Sequence, residues 1–242
     1  MKKIYYLMIA VSAGVMISCS GEPKDNQAGE TKDSVKTEEV SAMTEGQRYG
    51  IKSGIVYYEP MEIMGMKTSQ TLYFDDYGKK EARETITEGT IMGMKTKKRS
   101  ISYTEGKYNI AYDLENITNN KDELKKIATR TDMSGNPFAN MDFAALTETM
   151  KNEMDYKEEG TEKVAGVTGN KFSVKMSKDA PQRIYGVIYK NVPLKVDMGM
   201  IKMTATKFEQ DVTVPSSLFS VPEGYTIQDV DPFAGMGGDG PK

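Results

Sequence analysis

The chain has no histidine, no tryptophan and a single cysteine, Cys19, in 242 residues. Without histidine there is no Ser-His-Asp or Cys-His constellation, and the commonest general base is missing. One cysteine allows no disulfide within the chain, so core burial alone has to hold the fold. No Walker phosphate loop occurs, nor a Ser-x-x-Lys pair after residue 19. The formal net charge is -3, and the lysines are scattered among carboxylates instead of gathered in a stripe, which argues against a nucleic-acid partner. Long apolar runs are scarce too. The one of note, Ile4 to Ile17, falls short of the ~20 residues that a membrane-crossing helix needs. These absences lead to an expectation of a non-catalytic protein with no cofactor.

Lys2 and Lys3 precede that apolar run, and Ser18, Cys19, Ser20 and Gly21 follow it, which is the three-part pattern of a secretory signal. Met16-Ile17-Ser18-Cys19 resembles a lipobox. The resemblance implies a signal peptide over residues 1–18, cleavage before Cys19, and a lipid on Cys19 that makes the membrane a partner. Ser20 resembles the residue that follows the cysteine in lipoproteins sent to the outer membrane. From Ser20 to Gly46 there are seven acidic and three basic residues and no aromatic one. Such a segment cannot bury enough surface to offset the entropy of ordering it, so residues 19–46 read as a lipidated tether with a reach of ~30 Å. Within it, Asp33-Ser34-Val35 resembles the three-residue O-glycosylation signal of Bacteroidetes, with Ser34 as the candidate.

From Tyr49 onward, short segments rich in β-formers alternate with turn residues, as in an antiparallel sheet. Four breaks, Met64-Gly65-Met66, Asp75-Asp76-Tyr77-Gly78, Met92-Gly93-Met94 and Thr104-Glu105-Gly106, separate candidate strands and favour a meander. Further strands are expected over Lys171 to Met176, Arg183 to Tyr189, Val192 to Val196 and Met200 to Val212, with Lys190-Asn191 as a tight turn. Between the two groups, Asn120 to Arg130 and Asn140 to Tyr156 carry helix signals, the second with Phe143, Leu146, Met150 and Met154 on one stripe. The expected fold is therefore α+β and mostly β: a curved antiparallel sheet, an open half-barrel, with two helices covering its concave side. One domain is expected over residues 47–230, and residues 231–242 read as a Gly-rich tail.

Ile63-Met64-Gly65-Met66-Lys67-Thr68 recurs as Ile91-Met92-Gly93-Met94-Lys95-Thr96, and Met198-Gly199-Met200 echoes both. Without further copies at the same period, repeated hairpin geometry in one sheet accounts for this better than a solenoid.

The order of tether, meander, helices, returning strands and exit segment resembles the LolA and LolB type of lipoprotein-carrier superfamily, and more closely the DUF4412-like exported proteins. The resemblance is carried by Leu72-Tyr73-Phe74-Asp75-Asp76-Tyr77-Gly78-Lys79-Lys80, Gly166-Val167-Thr168-Gly169-Asn170-Lys171-Phe172, Val192-Pro193-Leu194-Lys195 and the run from Val214 to Tyr225. It implies a concave face that holds an apolar guest such as a lipid or acyl group. Eighteen methionines suit that, because unbranched thioethers re-pack around irregular partners. The candidate ligand-binding residues are Met64, Met66, Met92, Met94, Met198, Met200, Tyr73 and Tyr189. A structural or protein-interaction lipoprotein with no small ligand is the alternative. The same Met-Gly-Met motifs also admit copper(I), which soft thioethers select.

Overall fold

Short turns set the topology, and four of them consist of two residues with both φ angles positive. Met92-Gly93, Asn119-Asn120, Ala165-Gly166 and Lys190-Asn191 each close a hairpin in the mirror-image turn geometry whose twist matches that of paired strands. A computed structural model describes residues 47–63, 65–134, 148–175, 177, 179–199 and 201–231. All lie in one compact unit, Glu39–Lys242.

The strands among the described residues are β1 (Gly54–Tyr58), β2 (Met61–Ile63), β3 (Met66–Asp75), β4 (Lys80–Ile91), β5 (Met94–Glu105), β6 (Tyr108–Thr118), β7 (Lys121–Asp122), β8 (Ile127–Asp132), β9 (Lys157–Val164), β10 (Val167–Lys175), β11 (Arg183–Tyr189), β12 (Val192–Asp197), β13 (Lys202–Gln210) and β14 (Thr226–Val230). They form one sheet in the order β14-β8-β6-β5-β4-β3-β1-β13-β12-β11-β10-β9, with β2 beside β3 and β7 beside β6. All neighbours are antiparallel except β14 and β8, which run parallel. Bulges at Tyr57/Tyr58 and Val187/Ile188 bend the ladder, and β9 curls back toward β13 without pairing to it. The sheet is curved and open, as expected.

Two of its stretches bury opposite faces. On β1 and β3, Val56, Tyr58, Leu72 and Phe74 alternate onto one face, where Tyr49, Ile51, Val192 and Leu194 complete a core. Phe74 is paired with Glu81, and Tyr73 with Ala82, so Ala82 points the other way. The second core, on that other face, contains Ala82, Ile101, Tyr103, Ile110, Tyr112 and Ala128. Leu218, Phe219, Val221 and Tyr225 from the C-terminal segment pack over it. There the Tyr112 hydroxyl donates to the Ser220 carbonyl at 3.2 Å, and the Tyr225 hydroxyl to that of Asp113 at 2.5 Å.

The two expected helices are corrected. Asn120 to Arg130 is not helical: Lys121–Asp122 folds back on β6, and Ile127–Asp132 is a strand between β6 and β14. Of the second, residues 140–147 lie outside the described residues, and the remainder forms a single helix, α1 (Glu148–Glu153), before strand β9 begins. Just beyond it Met154 and Tyr156 pack on Phe172 and Val174. Arg183 clamps this junction, contacting the Asp155 carboxylate at 2.5 Å, the Asp155 carbonyl at 2.6 Å and the buried Ser173 hydroxyl at 3.0 Å. The Arg183 guanidinium holds the Asp155 carboxyl below its ordinary pKa.

Candidate functional site

The register places the three Met-Gly-Met turns on one rim of the sheet. Met66 opens β3, opposite Gly89 near the end of β4, and Ile91 pairs with Met94 across the next turn. The turn around Gly199 leads into β13, whose first residues adjoin Glu59 to Glu62 on the way to β2. Three of the described methionines of these turns lie largely in solvent. Met92 is 94% exposed, Met94 46% and Met198 44%. Met66 behaves differently. Its Sδ lies over Gly89, 2.9 Å from where a Cβ on that glycine would stand. Met64 and Met200 lie outside the described residues, as do Cys19 and Ser34.

The two tyrosines named with them go elsewhere. Tyr73 is on the opposite face from Met66, and its hydroxyl donates to Glu84 at 3.0 Å. Tyr189 packs against Phe208 beside the first core, with the Lys190 ammonium 5.5 Å from its ring centre. The sequence motif thus gathers the methionines and leaves the tyrosines apart.

A row of polar groups that the sequence pattern does not single out crosses Tyr73's face. Glu84 accepts from Tyr73 and from Arg99 at 2.5 Å, and Glu209 accepts from Tyr57 at 3.2 Å and pairs with Lys207. Burial first, then the Glu84 hydrogen bond, pushes the Tyr73 phenol well above its usual pKa. Lys207 holds the Glu209 carboxyl below its usual range. Each carboxylate is paired with a cation, an arrangement that fixes the side chains. Only long-range register brings these residues together, since Tyr57 and Glu209 are 152 positions apart.

A tighter cluster lies near the turn between β3 and β4. Glu81, with 8% of its side chain exposed, accepts from the Tyr49 hydroxyl at 2.6 Å and faces Arg48 at 2.9 Å and Arg83 at 3.4 Å. Burial first, and then Glu81, raises the Tyr49 phenol well above its usual value.

Two surface concavities stand out. One, about 140 Å³, is lined by Glu162, Lys171, Tyr185, Val187, Lys195 and Asp197, with Lys195 bonded to Glu162 at 2.6 Å. The other, about 320 Å³, lies beside Glu59, Pro60, Met61, Glu62, Lys202 and Thr204. The first is walled largely by charged groups and is smaller than the ~300 Å³ of ordinary small-molecule pockets, and the second mixes three charged side chains with polar and apolar ones. Among the described residues no group of three acidic side chains is placed to hold a metal ion, and no helix is long and apolar enough to cross a membrane.

No family model matches the chain, and no curated protein matches it. Solved structures do. An uncharacterised conserved protein from Thermus thermophilus is similar at 10% identity and a TM-score of 0.45, covering 74% of this chain and 91% of its own. MucB is similar at 10% identity and a TM-score of 0.33, over 71% of this chain and 57% of its own.

Proposed function

We propose that this chain is a lipid-anchored envelope protein, held through Cys19, that acts without catalysis through the surfaces of its curved sheet as a structural or protein-interaction module. The state of the interior supports this reading. Val56, Leu72, Phe74, Val187, Val192 and Leu194 are each buried to within 1% of their surface, packed together in the first core. Close packing of this kind leaves little space for an acyl chain. The outer edge of β14, in contrast, pairs with no strand among the described residues. All five residues of β14 are exposed, Ile227 and Val230 among them, and an exposed strand edge is a template for another chain to pair with.

Native mass spectrometry of the full lipoprotein, extracted in gentle detergent from a bacterial envelope, tests the first half. The expected mass is that of the acylated chain alone, and a stoichiometric lipid beyond the anchor would overturn the reading in favour of an apolar-ligand carrier. A photo-crosslinking residue in place of Gln228 tests the second half. Formation of one defined adduct in cells is expected, with none from the same residue at Lys163 on the opposite edge strand. Equal, diffuse labelling at both positions would count against a β14 interface.

A further inference from the structure

We propose that Met66 and Met94, with Met92 as a third donor, form a binding site for a soft monovalent cation, copper(I) or its stand-in silver(I), on the rim of the sheet. Strand register decides which of these side chains share a face. Met66 faces Gly89, Gly89 faces Thr96, and Met94 lies two residues from Thr96, so Met66 and Met94 project from the same face. Two strand spacings across and two residues along put their Cα atoms about 12 Å apart. The missing side chain at position 89 closes much of that distance. Met66 lays its Sδ over Gly89, one strand nearer to Met94, where a Cβ would meet the Gly65 carbonyl at 2.4 Å and this sulfur at 2.9 Å. Met94 is about half exposed, and Met92 stands at the turn two residues away with nearly all of its surface in water.

The donor set is soft and uncharged. With no histidine in the chain, thioethers are the soft donors on this rim among the described residues, and they favour copper(I) or silver(I) over zinc, calcium or magnesium. Lys98, on the same face, is held 3.0 Å from Asp113, which offsets its charge. Coordination replaces bound water by sulfur and changes no oxidation state.

The test follows methionine methyl carbons by NMR in the full lipoprotein in detergent, titrated with silver nitrate in chloride-free buffer. The signals of Met66 and Met94, assigned through Met66→Leu and Met94→Leu, are expected to move together and saturate at one equivalent. Leucine nearly conserves volume, so the variants keep the fold. The double variant is expected to bind about ten-fold or more weakly, as when a chelating pair is removed. Met198 is the matched control, since it is as exposed as Met94 but lies on another turn. Should Met198 respond as strongly as Met94, or the double variant bind as the parent does, the site is an adventitious one and the proposal fails. An unchanged response in the presence of excess zinc is expected, and its displacement by zinc would also overturn the assignment.

Discussion

Around Glu81 a single carboxylate satisfies one phenol and two guanidinium groups. Removing one partner of a buried ion pair is strongly destabilising, but both arginines are about a third exposed, which lowers the penalty. Glu81→Gln is expected to lower stability by about 2 kcal/mol in urea unfolding. A loss too small to measure would mean that solvent already screens the cluster. Gly186 is a second sensitive position, because a Cβ there would stand 2.4 Å from the Phe172 ring. Gly186→Ala should destabilise by about 1–3 kcal/mol through overpacking, and Phe172→Leu in the same chain should recover part of it. Neither position is legible in the sequence. Lys80-Glu81-Ala82-Arg83 alternates well enough to read as a strand, but only Tyr49, 32 positions earlier, decides that Glu81 is covered. Gly186 looks like any strand glycine until the register sets Phe172 opposite it. The Met-Gly-Met motifs, in contrast, are legible as turns because glycine tolerates positive φ, with Gly65, Gly93 and Gly199 at 77°, 79° and 85°.

At the scale of elements, the hairpins are readable and the long-range partners are not. Arg183 to Tyr189 matches its expected bounds to the residue, since its ends are set by local turn chemistry. β8 resembles a helix in sequence because Leu124 and Ile127 are spaced like one helical face, and its strand character comes from ladders on both sides, to β6 and to β14. β14 escapes a reading of the sequence because Thr226-Ile227-Gln228-Asp229-Val230 has two apolar residues and no buried face. Its docking rests partly on Arg130, which reaches both carboxylate oxygens of Asp229, at 2.6 and 3.0 Å, and lowers that carboxyl's pKa. A carboxylate depressed on folding contributes fully above its unfolded pKa, near 4, and its contribution is lost as pH falls through the folded value. Hydrogen exchange should therefore show β14 amides losing protection below about pH 4, before those of β5, and Asp229→Asn should remove that pH dependence. Uniform loss across the sheet would contradict it.

On the scale of the whole molecule, β3 serves both cores, with Leu72 and Phe74 in one and Tyr73 against the other. Two cores that share a strand cannot come apart independently. Leu194→Ala in the first core and Ile110→Ala in the second are each expected to cost about 3 kcal/mol and to shift one common urea transition. Two separated transitions, each sensitive to only one of the substitutions, would show that the sheet is divided between β3 and β4.

The parallel pairing of β14 also sets an order in time. Arg130 and Asp229 meet across 99 positions, and the cover of the second core, Leu218 to Tyr225, is made just before β14 itself. At ~5–20 residues per second of synthesis, about 5–20 s pass between the emergence of β8 and that of its partner. Throughout that interval the face formed by Ile101, Ile110 and Tyr112 lacks the cover of Leu218, Phe219, Val221 and Tyr225, so the second core of a growing chain stays open on one side until its C-terminal segment has been made.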